Sequence, residues 1–230
     1  MAGGAWAGSF MHQLGLDLPQ SSVRQSVVTV ATAGRALPAA LHTSGVTITR
    51  RGSDTHTLAI SGRAKVDPTP ATLVHLRQFL PMFARRWRKL SPGGLQAWKA
   101  GFGTRALWRM DRPTPMEAVR TLDPRPSAAA VAETLRRARQ LIPELRDCAI
   151  GTSWAGFVDS TPDGVPVIDG ALPISGLLLA AGFSGHGFGI GPGAGRLAAD
   201  IVLSRRPNVP FEQFRLSRFR QAAWGKVSEF

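Results

Sequence analysis

From Pro19 the chain settles into a period of two. Val23, Gln25, Val27 and Thr29 alternate with polar neighbours, as in a half-buried strand. Val46 to Arg50 and Thr57 to Ile60 are two more strand candidates, and the RGSD between them suits a hairpin turn. At Thr69-Pro70-Ala71 the period becomes helical: Thr69 can accept from an early amide, and Pro70 costs nothing at the first helical position. Leu73, Leu76, Phe79 and Leu80 then fall on one face. Ser127 to Leu141 predicts a second helix, with Val131, Leu135, Ala138 and Leu141 together and Pro143 marking its end. Strands follow at Ala149 to Val158, Val165 to Ile168 and Gly176 to Ala181, with a polar turn at Ser160 to Gly164. Last comes a glycine-rich loop, Gly182 to Gly195, running into a helix that ends near Ser204. The opening MAGGAWAGSF reads as a strand end and a glycine turn. Gly93 to Arg112 carries no clear period. The pattern is α+β.

Composition narrows this. At 230 residues, 43% hydrophobic and 19% charged, with mean hydropathy −0.02, the chain has the make-up of a folded protein with a core. Cys148 is the only cysteine, which excludes a disulfide scaffold. The longest clean apolar run, Gly176 to Phe183, is far shorter than the roughly 20 residues of a membrane-spanning helix. The first Lys or Arg is Arg24, so no secretory leader is visible and a cytoplasmic protein is expected. A net charge of +13 invites a basic nucleic-acid-binding module as an alternative of another class. Against it, the arginines are spread along the chain. The one dense cluster, Arg85, Arg86, Arg88 and Lys89, interleaves with Phe83 and Trp87 as a solvated helix face would. No nucleic-acid partner and no metal are expected.

The most informative stretch is Leu177-Leu-Leu-Ala-Ala-Gly-Phe-Ser-Gly-His-Gly-Phe-Gly-Ile-Gly-Pro-Gly-Ala-Gly-Arg196. An apolar strand feeds glycines at 182, 185, 187, 189, 191, 193 and 195, and a helix follows. Stripping Cβ atoms from the loop lets its backbone press against a flat or anionic ligand. Pro192 suits a first helical turn, whose free N–H groups and dipole favour a phosphate or an electron-rich carbonyl edge.

This string, SGHGFGIGPGAGRLAAD, resembles the C-terminal flavin-binding segment of the FAD-dependent D-amino-acid oxidase superfamily, in the branch with glycine and sarcosine oxidases and D-amino-acid dehydrogenases. Trp154 to Ile168, with its Thr161-Pro162-Asp163 turn, looks like the strand that precedes it in the family. Arg215 to Phe219 looks like the closing tail. Ala2-Gly3-Gly4-Ala5-Trp6 is similar to the motif ending the family's first FAD-binding half. Dinucleotide binding in that family uses an N-terminal strand, a GxGxxG turn and an acidic residue roughly 20 positions on. None of these precedes residue 1, so the resemblance implies the C-terminal portion of a longer oxidoreductase.

The resemblance divides the chain into the end of the FAD-binding half (1–15), an antiparallel-sheet substrate domain (16–147), a C-terminal FAD-binding segment (148–204) and a tail (205–230). It implies FAD as cofactor and hydride transfer to flavin N5 from the carbon bearing the amine of a D-amino or imino acid, with the cofactor carrying the hard chemistry. It also implies flavin contacts at Gly3, Gly4, Ala5 and Trp6, and at Gly182, Phe183, Ser184, Gly185, His186, Gly187, Phe188, Gly189 and Ile190. His186 is the candidate catalytic residue. Sarcosine-type relatives place an oxygen-activating lysine directly after SGHGF. Gly189 stands there in this chain, which points to a quinone or carrier as acceptor. They also tether the flavin through a cysteine where Gly156 stands here, so non-covalent FAD is expected. A carboxylate substrate needs an arginine fork, and Arg50 beside the substrate-domain strands is the candidate. The other expectation of the same ancestry is an inactive fragment, or a subunit whose flavin site a partner chain completes.

Overall fold

A computed structural model of the chain describes residues 1–34, 37–60, 63–109 and 111–220. A 3-10 turn at Gly4–Trp6 leads into α1 (Ala7–Gln13), followed by β1 (Ser21–Ala31), β2 (Ala40–His42), β3 (Thr47–Arg50), β4 (Thr55–Ala59) and β5 (Ala64–Val66). Then come α2 (Pro70–Val74), α3 (Leu76–Arg86), β6 (Leu90–Pro92), α4 (Gln96–Lys99), α5 (Pro115–Ala118) and α6 (Ala128–Leu141). The chain continues through β7 (Ala149–Ser160), β8 (Val167–Asp169), β9 (Leu179–Ala181) and α7 (Gly187–Val202). Residues 221–230 of the expected tail lie outside the described residues. Among those described, no helix is long and apolar enough to cross a membrane.

The architecture is mixed α and β. Seven strands form one sheet, in which β7 pairs antiparallel with one edge of β1 along nearly its whole length. On the other edge β4 meets Val28–Ala31 and β5 meets Val23–Arg24. One pairing departs from the expected antiparallel sheet: β5 and β6 run parallel, connected through α2 and α3. β8 and β9 form a separate hairpin. The main core lies between the sheet and α6, where Val28, Val30, Ile48 and Leu58 meet Leu135 and Ala138.

Local signals hold where the expectation rested on capping chemistry. The Thr69 Oγ1 accepts from the Thr72 amide with Pro70 at the helix start, and the Ser127 Oγ accepts from Ala130. The 51–54 turn joins β3 to β4, with Gly52 at φ +105°.

Several expectations fail for tertiary reasons. The opening residues form a 3-10 turn and a helix, not a strand end, because Trp6 is buried edge-on against Phe102 with ring centroids 4.6 Å apart. β1 has the expected period, but its more deeply buried face is the other set: Ser22, Arg24, Ser26, Val28 and Val30 go in, while Val23, Gln25 and Val27 are half-buried and of the expected set only Thr29 is buried. Arg24 tolerates burial because its guanidinium forks onto Asp67, both bonds 3.2 Å, and donates to the Arg125 carbonyl at 2.6 Å. The 70–86 helix breaks at His75, and its apolar face is uncovered, with Leu73, Leu76 and Leu80 each about half exposed.

Two predictions follow from the interior. Asp67 is fully buried and also accepts from the Gly94 amide, so Asp67→Ala strands a buried guanidinium. It is expected to cost about 3–5 kcal/mol in chemical denaturation, whereas Arg24→Leu with Asp67→Leu costs far less. His56, 1% exposed on β4, is held below the ordinary 6.5 by burial and then by the Arg50 charge opposite. With its folded pKa lowered, the unfolded chain takes the proton first, so the contribution of this group is full above pH 6.5 and is lost as pH falls toward the folded value. The urea midpoint is expected to drop on acidification below pH 6.5, and His56→Leu to flatten that part of the profile.

Candidate functional site

The end of β9 makes three left-handed steps before α7 begins. Gly182, Ser184 and Gly185 sit at φ +75°, +53° and +89°. At Gly182 a Cβ would lie 2.3 Å from the Thr161 methyl, so both conformation and space demand glycine there. The non-glycine Ser184 is held by its own bonds: its amide donates to the Asp159 carbonyl at 2.9 Å and its hydroxyl to the Gly182 carbonyl at 3.1 Å. The loop is shorter than expected, since α7 starts at Gly187 and the glycines from 187 to 195 are helical. Pro192 consequently lies inside the helix and not in its first turn. His186 occupies the N-cap position but gives no side-chain cap, leaving the first-turn amides open.

The N-terminal turn and this loop are tied together by two residues the sequence reading passed over. The Gln20 side chain donates to the Gly4 carbonyl and accepts from the Gly8 amide, each at 2.7 Å. The Asp159 carboxylate accepts from the Gly182 amide at 2.7 Å, and the nearby Gln20 amide favours its charged form. Burial pushes the Asp159 carboxyl up from its usual range. Gly3, Gly4, Ala5 and Trp6 are brought to the same corner as Gly182 by the strand before it, for the Met1 carbonyl accepts from the Ala180 amide at 2.9 Å and the Met1 ammonium donates to the Leu178 carbonyl at 2.6 Å. A Cβ at Gly8 would sit 2.9 Å from the Gln20 Oε1, so glycine keeps this contact close. Nothing in one sequence connects positions 8, 20 and 159.

Ser184, Gly185 and His186 line one end of a cavity of about 520 Å³ above the β1–β7 pair. Its floor includes Val23, Gln25 and Val158, the half-buried face of the two strands. Two cations line it: Arg86, the last residue of α3, and Lys89 just beyond. None of its described lining residues is acidic. The surrounding segment is cationic throughout, for no Asp or Glu occurs between Asp67 and Asp111 while Arg77, Arg85, Arg86, Arg88, Lys89, Lys99, Arg105 and Arg109 do. Such a chamber can hold a small anion against a loop of backbone amides. Arg50 does not line it; on β3 its guanidinium donates to the Leu37 carbonyl at 3.1 Å.

Below the loop, the Thr161-Pro162-Asp163 turn is locked to the tail. Asp163 receives two bonds from the Arg218 guanidinium, 2.7 and 3.1 Å, and a third from the Val165 amide at 3.0 Å. Asp169 accepts from the Leu216 amide at 2.8 Å, so the tail is pinned at two places.

Comparison with known proteins agrees with this geometry. A family model described as FAD dependent oxidoreductase matches residues 1–201. A D-amino acid dehydrogenase of Methylobacterium sp. (strain 4-46) is 35% identical over 91 residues, 39% of this chain and 21% of that protein. A glycine oxidase of Geobacillus kaustophilus (strain HTA426) is 34% identical over 98 residues, 43% of this chain and 26% of that protein. Among solved structures, L-amino acid deaminase from Proteus vulgaris superposes with TM-score 0.84 at 21% identity, over 94% of this chain and 50% of that one. The glycine oxidase from Geobacillus kaustophilus gives TM-score 0.62 at 22% identity, over 94% and 44%. The matches thus span about a quarter or less of the curated relatives and half or less of these solved chains. With a family model covering the N-terminal turn, the sheet and the glycine helix in one match, the chain belongs to the FAD dependent oxidoreductases.

Proposed function

We propose that this chain forms the ring end of an FAD site and the adjoining substrate cavity of an enzyme that oxidises the C–N bond of a D-amino or imino acid. One observation carries the reading. A Cβ built at Gly189, Gly191, Gly193 or Gly195 would meet nothing within 4 Å, so packing inside the described chain accounts for none of these glycines. Each glycine in a helix costs about 1 kcal/mol relative to alanine. Gly189 and Gly193 lie one turn apart on the same face, next to a helix start that has no side-chain cap, and a face bare at both positions fits a flat, electron-rich ring held at close range.

Bound there, FAD supplies a two-electron acceptor for the hydride on the carbon bearing the amine. Arg86 and Lys89 hold the substrate carboxylate, while the sheet floor keeps water from one side of the cavity. His186 orients the amine at the loop end. Gly156, whose Cβ position is likewise open, leaves no tether, in keeping with non-covalent FAD. The D-configuration rests on the sequence resemblance and on a relative that bears the name D-amino acid dehydrogenase. Because the chain spans 50% of the L-amino acid deaminase chain it superposes on, the ADP end of FAD is assigned to further protein, in the same polypeptide or a partner.

Gly189→Leu tests the carrying observation, since the fold has room for the side chain and the flavin does not. FAD affinity in the complete protein is expected to fall on the order of tenfold or more. The melting temperature should hold within a few degrees. Unchanged affinity with a collapsed melting temperature would mean that the glycines serve packing. Gly187 is the poorer choice, because a Cβ there already presses on Phe183 at 3.2 Å. With Gly189 at the position of the oxygen-activating lysine, electrons should pass to a quinone or carrier. Stopped-flow mixing of the reduced protein with air is expected to show slow reoxidation, and a rate matching dedicated oxidases would refute that assignment.

A further inference from the structure

A second cavity adjoins the first. It holds about 220 Å³ and is walled by Val66 of β5 and by Leu76, Phe79, Leu80 and Phe83 of α3. Among the described residues its polar lining side chains are Ser21, Thr72 and Ser160, and the hydroxyls of Thr72 and Thr69 lie 2.8 Å apart. Val23, Met82, Leu90 and Ser160 line both cavities, so the two share a wall. One helix serves both: α3 presents apolar side chains to the second cavity and ends with Arg86 in the first. At 1.5 Å per residue, Phe83 and Arg86 are separated by about 4.5 Å along the axis, the scale of the distance from a carboxylate to the side chain of one amino acid.

We infer that the second cavity receives the substrate's side chain, which makes the substrate an amino acid with a large aromatic or branched aliphatic group. This rests on reading the first cavity as the amino-acid site. Size supports the match, because an apolar cavity of about 150 Å³ in another protein is enough to admit benzene. A phenyl or isobutyl group therefore fits here, and the near absence of polar lining penalises a charged or amide side chain.

The test uses two acids that lack the amine and cannot be turned over, 3-phenylpropionate and propionate, titrated calorimetrically into the FAD-loaded protein. 3-Phenylpropionate is expected to bind on the order of ten- to a hundredfold tighter, from burial of the ring. Val66→Phe, which fills the second cavity, should remove the difference while leaving propionate unchanged. Leu80→Asp, at a half-exposed position the fold tolerates, should do the same by placing a charge in the wall. Arg86→Ala should weaken both acids. If the two acids bind equally and both depend on Arg86, the side-chain cavity is refuted and the carboxylate site stands. If neither acid binds, or neither responds to Arg86→Ala, the reading of the first cavity falls and this inference falls with it.

Discussion

Everything at the site depends on the register between β1 and β7, two strands far apart in sequence. Val23 faces Val158 and Ser21 faces Ser160 across the ladder, and Val23, Val158 and Ser160 lie with Gln25 beneath the cavity. The alternate residues, Arg24 opposite Phe157 and Ser22 opposite Asp159, turn to the other side. A slip of one residue would exchange the two sets and bring Arg24 into the cavity and Val23 against Asp67. An irregularity in the ladder between Val28 and Val30 opposes such a slip. Beside it the Thr29 hydroxyl donates to the Thr152 carbonyl, and a Cβ at Gly151 would meet that hydroxyl at 2.5 Å.

Two buried ion pairs then fix what the ladder leaves free. Attraction between Arg24 and Asp67 is largely offset by the cost of taking both out of water, so the net gain in stability is small. What the pair defines is position. Asp67 also accepts from Gly94, and Arg24 also donates to Arg125, so one contact gathers β1, β5 and two loops of the middle region. Asp163 and Arg218 do the same for the turn under the glycine loop and the tail. In both pairs the remaining lone pairs and protons are used by backbone groups, which is the condition under which a buried charge is tolerated.

Local chemistry was legible in the sequence and tertiary chemistry was not. Thr69 with Pro70, Ser127, and the 51–54 turn act over four or five residues, so their helices and hairpin could be read directly. The buried face of β1 could not, because periodicity ranks Arg24 as a solvent residue until Asp67, 43 positions on, is brought beside it. The start of α7 is hidden for a related reason: glycine propensity argues against a helix over Gly187–Gly195, yet those residues are helical. Of the candidate site, the glycine segment and the Gly3–Trp6 turn were visible as motifs. The cluster at 85–89 reads as a solvated face, and Arg85, Arg88 and Lys89 are indeed exposed; only Arg86 is half-buried, and that it and Lys89 border the cavity depends on where α3 ends over the sheet, which no local pattern encodes.

The stretch from Pro68 to Met110, free of acidic residues, has a consequence beyond the contacts it makes. Its charge adds to the excess of the whole chain, +13, and two of its cations, Arg86 and Lys89, line the cavity. A low-dielectric cleft lined by one sign concentrates field lines, so a carboxylate diffusing nearby drifts toward the mouth before it touches anything. At physiological ionic strength that pull reaches only about 8 Å beyond the surface. For the carboxylate proposed to bind here, the rate of encounter is therefore set by the salt around the molecule.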